Sequence, residues 1–264
     1  MYTASPLSAP ARASLMTGVQ PHRHGVLTHF LTVERDGKKI VTGPGKYPVG
    51  YDGSLVTWGE YFKSLNYTTA AVGKMHVHGE LQKGASKEKP EGNLMGFDYS
   101  DMRLYSSFPG GHYRDHKNNP DINDRYREIN AYDSIRRSNH FNQALHTTLV
   151  EKEEDVFDFL VAKKSNAYIE QCVKERKPFV IHVGLEKPHK PWTTFQRFYD
   201  MYSMDDMKLP VTLNDTKENG RYPYVRKPTQ NKPETVEEVK RSMLAYYSCV
   251  TQMDEAVGRV VKKV

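Results

Sequence analysis

The chain has 264 residues and carries 38 Lys and Arg against 32 Asp and Glu, a formal net charge of +6. That length can bury a sizeable core and fits one large α/β domain or two small ones. The charges are interspersed, with no dense basic block and no nucleic-acid motif, and no apolar run approaches the roughly 18 to 20 residues of a membrane span.

The first element opens at residue 8. Ser8-Ala9-Pro10-Ala11-Arg12 runs into Ala13-Ser14-Leu15-Met16, a helix start with Pro10 in the first turn, where its missing N–H costs little. Ser8 then faces a helix N-terminus, where backbone N–H groups and the helix dipole favour negative charge, and Arg12 lies about one turn further on, able to reach back. From local spacing alone, Ser8 as a simple helix cap fits as well. No strand precedes Ser8, and Val264 stops inside a helical pattern, so the α/β pattern reads as incomplete at both ends.

Residues 29–53 read as a variable loop. Ser54 is placed as the N-cap of a helix bearing Leu55, Trp58, Tyr61, Phe62 and Leu65, which should pack on a sheet. Thr68 to Val72 is small and β-branched and is broken by Gly73, so it reads as a short buried strand delivering Lys74 and His76 to its C-terminal edge. From about Gly84 the sequence loses any sustained period, and 84–150 reads as a long surface excursion.

Periodicity returns between Val150 and Val173, where Phe157, Leu160, Val161, Tyr168, Ile169 and Cys172 recur as in a helix or two. Pro178 to Leu185 is apolar almost throughout, as a central parallel strand would be, and leads to His189. After a loop-like stretch from Pro210 to Pro233, Thr235-x-x-Glu238 forms a capping box opening a last helix. Its apolar residues Val239, Met243, Tyr246, Tyr247, Val250, Met253, Val257 and Val260 follow the helical period. Cys172 and Cys249 both fall in helices and read as small core residues rather than a disulfide framework. The fold class is α/β, a mostly parallel central sheet with helices on both faces.

Ser8-Ala9-Pro10-Ala11-Arg12-Ala13-Ser14-Leu15-Met16-Thr17-Gly18 resembles the sulfatase signature, Cys/Ser-x-Pro-x-Arg followed by a hydrophobic pair and Thr-Gly. Gly73-Lys74-Met75-His76 is similar to the family's Gly-Lys-Trp-His segment, and Lys187-Pro188-His189-Lys190-Pro191-Trp192 resembles its His-x-Pro segment. Tyr246-Tyr247 through Val257-Gly258 resembles a helix of the family, and a packing role follows for it. The resemblance implies an alkaline-phosphatase-like fold and a sulfuric ester hydrolase whose residue 8 is oxidised to formylglycine. Its hydrated aldehyde would attack the sulfur of a sulfate ester of a carbohydrate or an aryl alcohol.

By the same resemblance, Arg12 supports the nucleophile, Lys74 contacts the sulfate, His76 holds the nucleophile's hydroxyl, and His189 gives a proton to the leaving-group oxygen. A histidine suits that proton transfer near neutral pH. Lys187 is a candidate substrate contact, with added positive potential as its alternative role. Serine at position 8 implies a radical-type bacterial maturase as a partner. The family also implies a periplasmic or secreted location, for which the N-terminus here carries no signal-peptide plan.

By the same resemblance, family members bind Ca²⁺ through a pair of aspartates and an Asp-His or Asp-Asn pair, and neither pair is present between residues 1 and 264. Of the expected ligand set, only the modified Ser8 is here, so 1–264 reads as the middle of a catalytic domain and is expected to be inactive or nearly so by itself. Two further readings stay open. One is a phosphatase or phosphodiesterase of the same superfamily with unmodified Ser8. The other is an inactive chain that binds sulfated glycans through Arg12, Lys74, His76 and His189.

Overall fold

The computed structural model describes residues 2–28, 31–35, 38–42, 55–75, 77, 95–101, 148–149, 153, 156–189, 192–211, 213 and 235–264. They divide into two compact units. The first comprises residues 1–112, 163–184 and 263–264, and the second comprises 113–162 and 185–262.

In the first unit, helix α1 (Ser8–Thr17) is followed by the single turn α2 (Pro21–His24), strands β1 (Leu31–Arg35) and β2 (Lys38–Thr42), helix α3 (Trp58–Ser64), and strands β3 (Thr68–Gly73) and β4 (Tyr99–Asp101). Most of helix α4 (Phe157–Lys174) and all of strand β6 (Phe179–Gly184) complete it. The sheet order is β4-β3-β6, and both pairings are parallel, with Ala70 opposite Ile181 and Ala71 opposite His182.

Because successive strand residues point to opposite faces, neighbouring alanines of β3 serve different cores. Ala70 packs with Tyr168 and Cys172 of α4 and with Phe179 and Ile181. Ala71 packs with Ala9, Ala13 and Met16 of α1, with Val26, Met75 and Phe97, and with Trp58 of α3. Helices therefore cover both faces of a parallel sheet, the expected α/β class.

Several boundaries differ from the sequence expectation. Residue 54 lies outside the described residues, and α3 is capped by Thr57: its hydroxyl accepts the Glu60 N–H at 3.2 Å while the Glu60 carboxylate accepts the Thr57 N–H at 2.8 Å. This reciprocal box satisfies two orphan donors of the helix start and so fixes it at Trp58. Within 29–53, β1 and β2 pair antiparallel from Leu31–Thr42 to Arg35–Lys38 instead of forming a loop. The excursion of 84–150 supplies β4 and the two-residue strand β5 (Thr148–Leu149), both too short to show a period. Residues 102–147 lie outside the described residues.

Strand β6 was expected to be central. Among the described residues it is the edge of its sheet, and Phe179 to Val183 are only partly buried, because only β3 flanks it there.

The second unit holds the start of α4 as far as Ala162, the parallel pair β5 and β7 (Thr193–Thr194), the short helix α5 (Gln196–Tyr199), a 3-10 turn at Met204–Asp206, and the long helix α6 (Val236–Val261). Its core gathers Val156, Phe159, Ala162, Phe195, Phe198 and Ala256. The capping box at Thr235 and Glu238 forms as expected. The buried face of α6, however, is Leu244, Ala245, Ser248, Cys249, Gln252 and Ala256, whereas Tyr246, Tyr247 and Val257 are exposed. Close packing places small Ala245, Ser248, Cys249 and Ala256 on that face beside Leu244 and Gln252, and leaves the two tyrosines outside it. Both cysteines are buried and free of disulfides.

Candidate active site

Ser8 is the first helical residue of α1, and Leu7, which makes no side-chain cap, occupies the N-cap position. Ser8 is therefore not a helix cap. Its hydroxyl instead accepts a hydrogen bond from Arg12 Nε at 3.2 Å, one turn along the helix. Buried Ala9, Pro10, Ala13 and Met16 seat α1 in the core, which leaves Ser8 and Arg12 on its partly buried side.

Arg12 is fixed at its other end. Its Nη1 donates to the Lys74 carbonyl at 2.8 Å, and His182 Nε2 lies 3.2 Å from the same oxygen. A carbonyl only accepts, so the His182 bond requires the tautomer with the proton on Nε2. Burial, reinforced by the nearby Arg12 guanidinium, pushes the His182 pKa down from 6.5 to about 4, so the ring is neutral at pH 7. Trp58 flanks the same imidazole, with ring centroids 6.4 Å apart.

The position of Lys74 follows from the end of β3. Gly73 has φ of 87°, which turns the chain in the left-handed region, and the Lys74 N–H then donates to the Gly184 carbonyl at 2.7 Å. A Cβ on Gly184 would lie 2.1 Å from the Lys74 carbonyl oxygen, so only glycine permits this approach. Lys74 itself is buried. Ser8, Arg12 and Lys74 are thus brought together within the first unit, whereas His76 lies outside the described residues. His182 escaped the sequence reading. The signal was present as one polar residue in the apolar run Phe179-Val180-Ile181-His182-Val183.

Lys187 and His189 belong to the second unit. The His189 N–H donates to the Glu186 carbonyl at 3.0 Å, and its Nδ1 lies 3.4 Å from the Glu186 carboxylate. About half of the His189 side chain, 47%, is exposed. Lys187, proposed from sequence as a substrate contact, is buried beside the charge of Asp158. The Asp158 carboxylate accepts the backbone N–H groups of Glu186 at 2.6 Å and Lys187 at 3.1 Å. Burial pushes the Asp158 carboxyl up and the Lys187 ammonium down; the two N–H bonds and the charge of Lys187 oppose the first shift, and the neighbouring Cys249, Asp158 and Glu186 oppose the second. Asp158 was also missed, although it interrupts the apolar run Val156-Phe157-Asp158-Phe159-Leu160-Val161.

Among the described residues, no group of three or more His, Cys, Asp or Glu side chains is arranged to hold a metal ion. Ca²⁺ calls for about six or more oxygen ligands, and Ser8 is the only expected one within reach of this cluster. The described residues do not fit a calcium site by themselves.

The family described as Sulfatase matches residues 1–264. Choline-sulfatase of Rhizobium meliloti (strain 1021) is 25% identical over 264 residues, covering 98% of this chain and 45% of that protein. Arylsulfatase of Clostridium perfringens (strain 13 / Type A) is 24% identical over 286 residues, covering 98% of this chain and 49% of that protein. The chain thus spans about half the length of the relatives it matches. Among solved structures, the phosphonate monoester hydrolase from Silicibacter pomeroyi aligns at a TM-score of 0.59 and 14% identity, covering 99% of this chain and 50% of that one.

Proposed function

Because the chain belongs to the sulfatase family, we propose that the whole protein hydrolyses sulfate esters, with residue 8 as its nucleophile after conversion of Ser8 to formylglycine by a maturase. The observation that carries this reading is the Ser8 hydroxyl at the start of α1, held by Arg12, which is itself tied to the carbonyl of Lys74. The helix start offers backbone N–H groups and the positive end of the helix dipole to an anion. Arg12 fixes the direction of the residue 8 side chain and adds positive charge beside it.

When present, the formylglycine supplies a geminal diol able to attack sulfur, which an unmodified serine does not. Lys74 supplies positive charge for the sulfate oxygens. His76 is proposed, by resemblance alone, to hold the hydroxyl of residue 8. His189 gives its proton to the ester oxygen as the S–O bond breaks, so that the alcohol leaves neutral. Lys187 enters as the buried counter-ion of Asp158 rather than as a substrate contact. The substrate class is an aryl sulfate or a sulfated carbohydrate, and the printed name of the Clostridium perfringens relative, arylsulfatase, supports the first.

Mass spectrometry of the peptide containing Ser8, after co-expression of the full-length protein with a radical-type maturase, tests the reading. A loss of two hydrogens at Ser8, with turnover of sulfate esters well above that of matched phosphate esters, is expected. Ser8→Ala should abolish that turnover. Unmodified serine with a preference for phosphate esters would replace this reading with the phosphatase one.

A further inference from the structure

We propose that Asp158 is a positioning residue that holds the turn carrying His189. The inference rests on the reading of His189 as the proton donor to the leaving group. Asp158 sits in the first turn of α4 with none of its surface exposed, in a helix start whose neighbours Val156 and Phe159 are core residues.

The carboxylate reaches the backbone directly. It accepts the N–H groups of Glu186 and Lys187 at 2.6 and 3.1 Å, which fixes two consecutive peptide units just past the end of β6. Those units set the place of Glu186, whose carbonyl and carboxylate both engage His189. The connection runs from Asp158 to the Glu186 and Lys187 backbone, then to Glu186, then to the imidazole. A carboxylate at Nδ1 orients the ring, as second partners do for histidines whose other nitrogen does chemistry.

Stability gives this carboxylate no clear reason to exist. Removing two charges from water carries a large desolvation cost, and a well-packed apolar pair is often as stable as a buried ion pair. What an apolar residue at 158 could not do is bind two adjacent N–H groups and thereby fix the backbone of the turn. Lys187 fits the same account: its positive charge and the two N–H bonds favour the carboxylate form of Asp158 against the upward push of burial.

The test uses the full-length protein with matured residue 8 and aryl sulfates of graded leaving ability, from 4-nitrophenyl to 4-methoxyphenyl sulfate. A good leaving group needs little protonation, so loss of the acid shows mainly with the poor one. His189→Ala should lower kcat/KM for the poor leaving group about 100-fold more than for the good one. Asp158→Asn, whose amide can accept only one of the two N–H bonds well, should show the same discrimination at about 10-fold. Added to His189→Ala, it should leave the discrimination unchanged.

Equal losses on all esters from Asp158→Asn, with His189→Ala still discriminating, would overturn the positioning role alone. Absence of discrimination in His189→Ala would remove the premise and the proposal with it. Should Asp158→Asn fail to fold, Asp158→Glu keeps the charge and displaces the carboxylate by one methylene. A partial discrimination is then expected, and a uniform loss overturns the proposal.

Discussion

Lys74 and Lys187 both follow strands of the same parallel sheet, yet the protein fixes them in opposite ways. At Lys74 the backbone carbonyl is the anchor, and the groups gathered on it, Arg12 and His182, are donors. At Lys187 the backbone N–H is anchored, and the group gathered on it is the Asp158 carboxylate. Donors assembled on a carbonyl build a positive field around Ser8, suited to receiving an anion. A carboxylate assembled on N–H groups sets a negative charge near the neighbouring lysine and leaves a rigid support. The lesson is that a lysine beyond a strand end is not by itself a sulfate ligand, since its partners decide what its charge is for.

The largest effect that could break this contrast comes from closing the gap at the first corner. Gly184→Ala places a Cβ where the Lys74 carbonyl oxygen lies at 2.1 Å, so the backbone must shift. Thermal unfolding of the full-length protein should show a loss of about 4 kcal/mol or more, with sulfate-ester turnover falling alongside it. Retention of both would show that the Lys74 corner tolerates displacement.

Lys187→Met addresses the second corner, where it leaves the Asp158 carboxylate buried without its counter-ion. Breaking a buried pair from one side costs about 3 kcal/mol or more. The same thermal measurement checks this, and a change under 1 kcal/mol would mean that Lys187 contributes as little as an exposed ion pair.

The smallest effect separates the corners by pH. His182 titrates near 4 in the folded protein against 6.5 ordinarily, so between these values the unfolded chain binds a proton that the folded one does not. Stability contributed by the neutral ring is present above about pH 6.5 and is lost as pH falls toward 4. His182→Gln keeps a donor toward the Lys74 carbonyl and removes the titration. It should therefore flatten the fall in melting temperature between those two values, whereas an unchanged slope would assign the dependence to other groups.

Much of the fold was legible because it rests on local patterns. The strand Thr68–Gly73 and the helix Val236–Val261, with its Thr235 and Glu238 cap, stand where small β-branched residues and a capping box put them. Even the missed hairpin carried a signal, since Asp36-Gly37 between β1 and β2 is a turn dipeptide flanked by Thr32-Val33 and Ile40-Val41. The buried face of α6 was not legible. Which side of that helix faces the core depends on how closely its neighbours approach, and the neighbours select Ala245, Ser248 and Cys249 over Tyr246 and Tyr247.

For the site, the sequence by itself determined the family, the position of Ser8 and its link to Arg12 one helical turn away, because a signature of adjacent residues and a helical period need no distant partner. Only the tertiary structure decided that Arg12 ends on the Lys74 carbonyl, that His182 shares that oxygen, and that Asp158 holds the backbone N–H of Lys187. Each of these contacts joins residues tens of positions apart, and their chemistry exists only once the strands of the sheet have set two backbones within a hydrogen bond of each other.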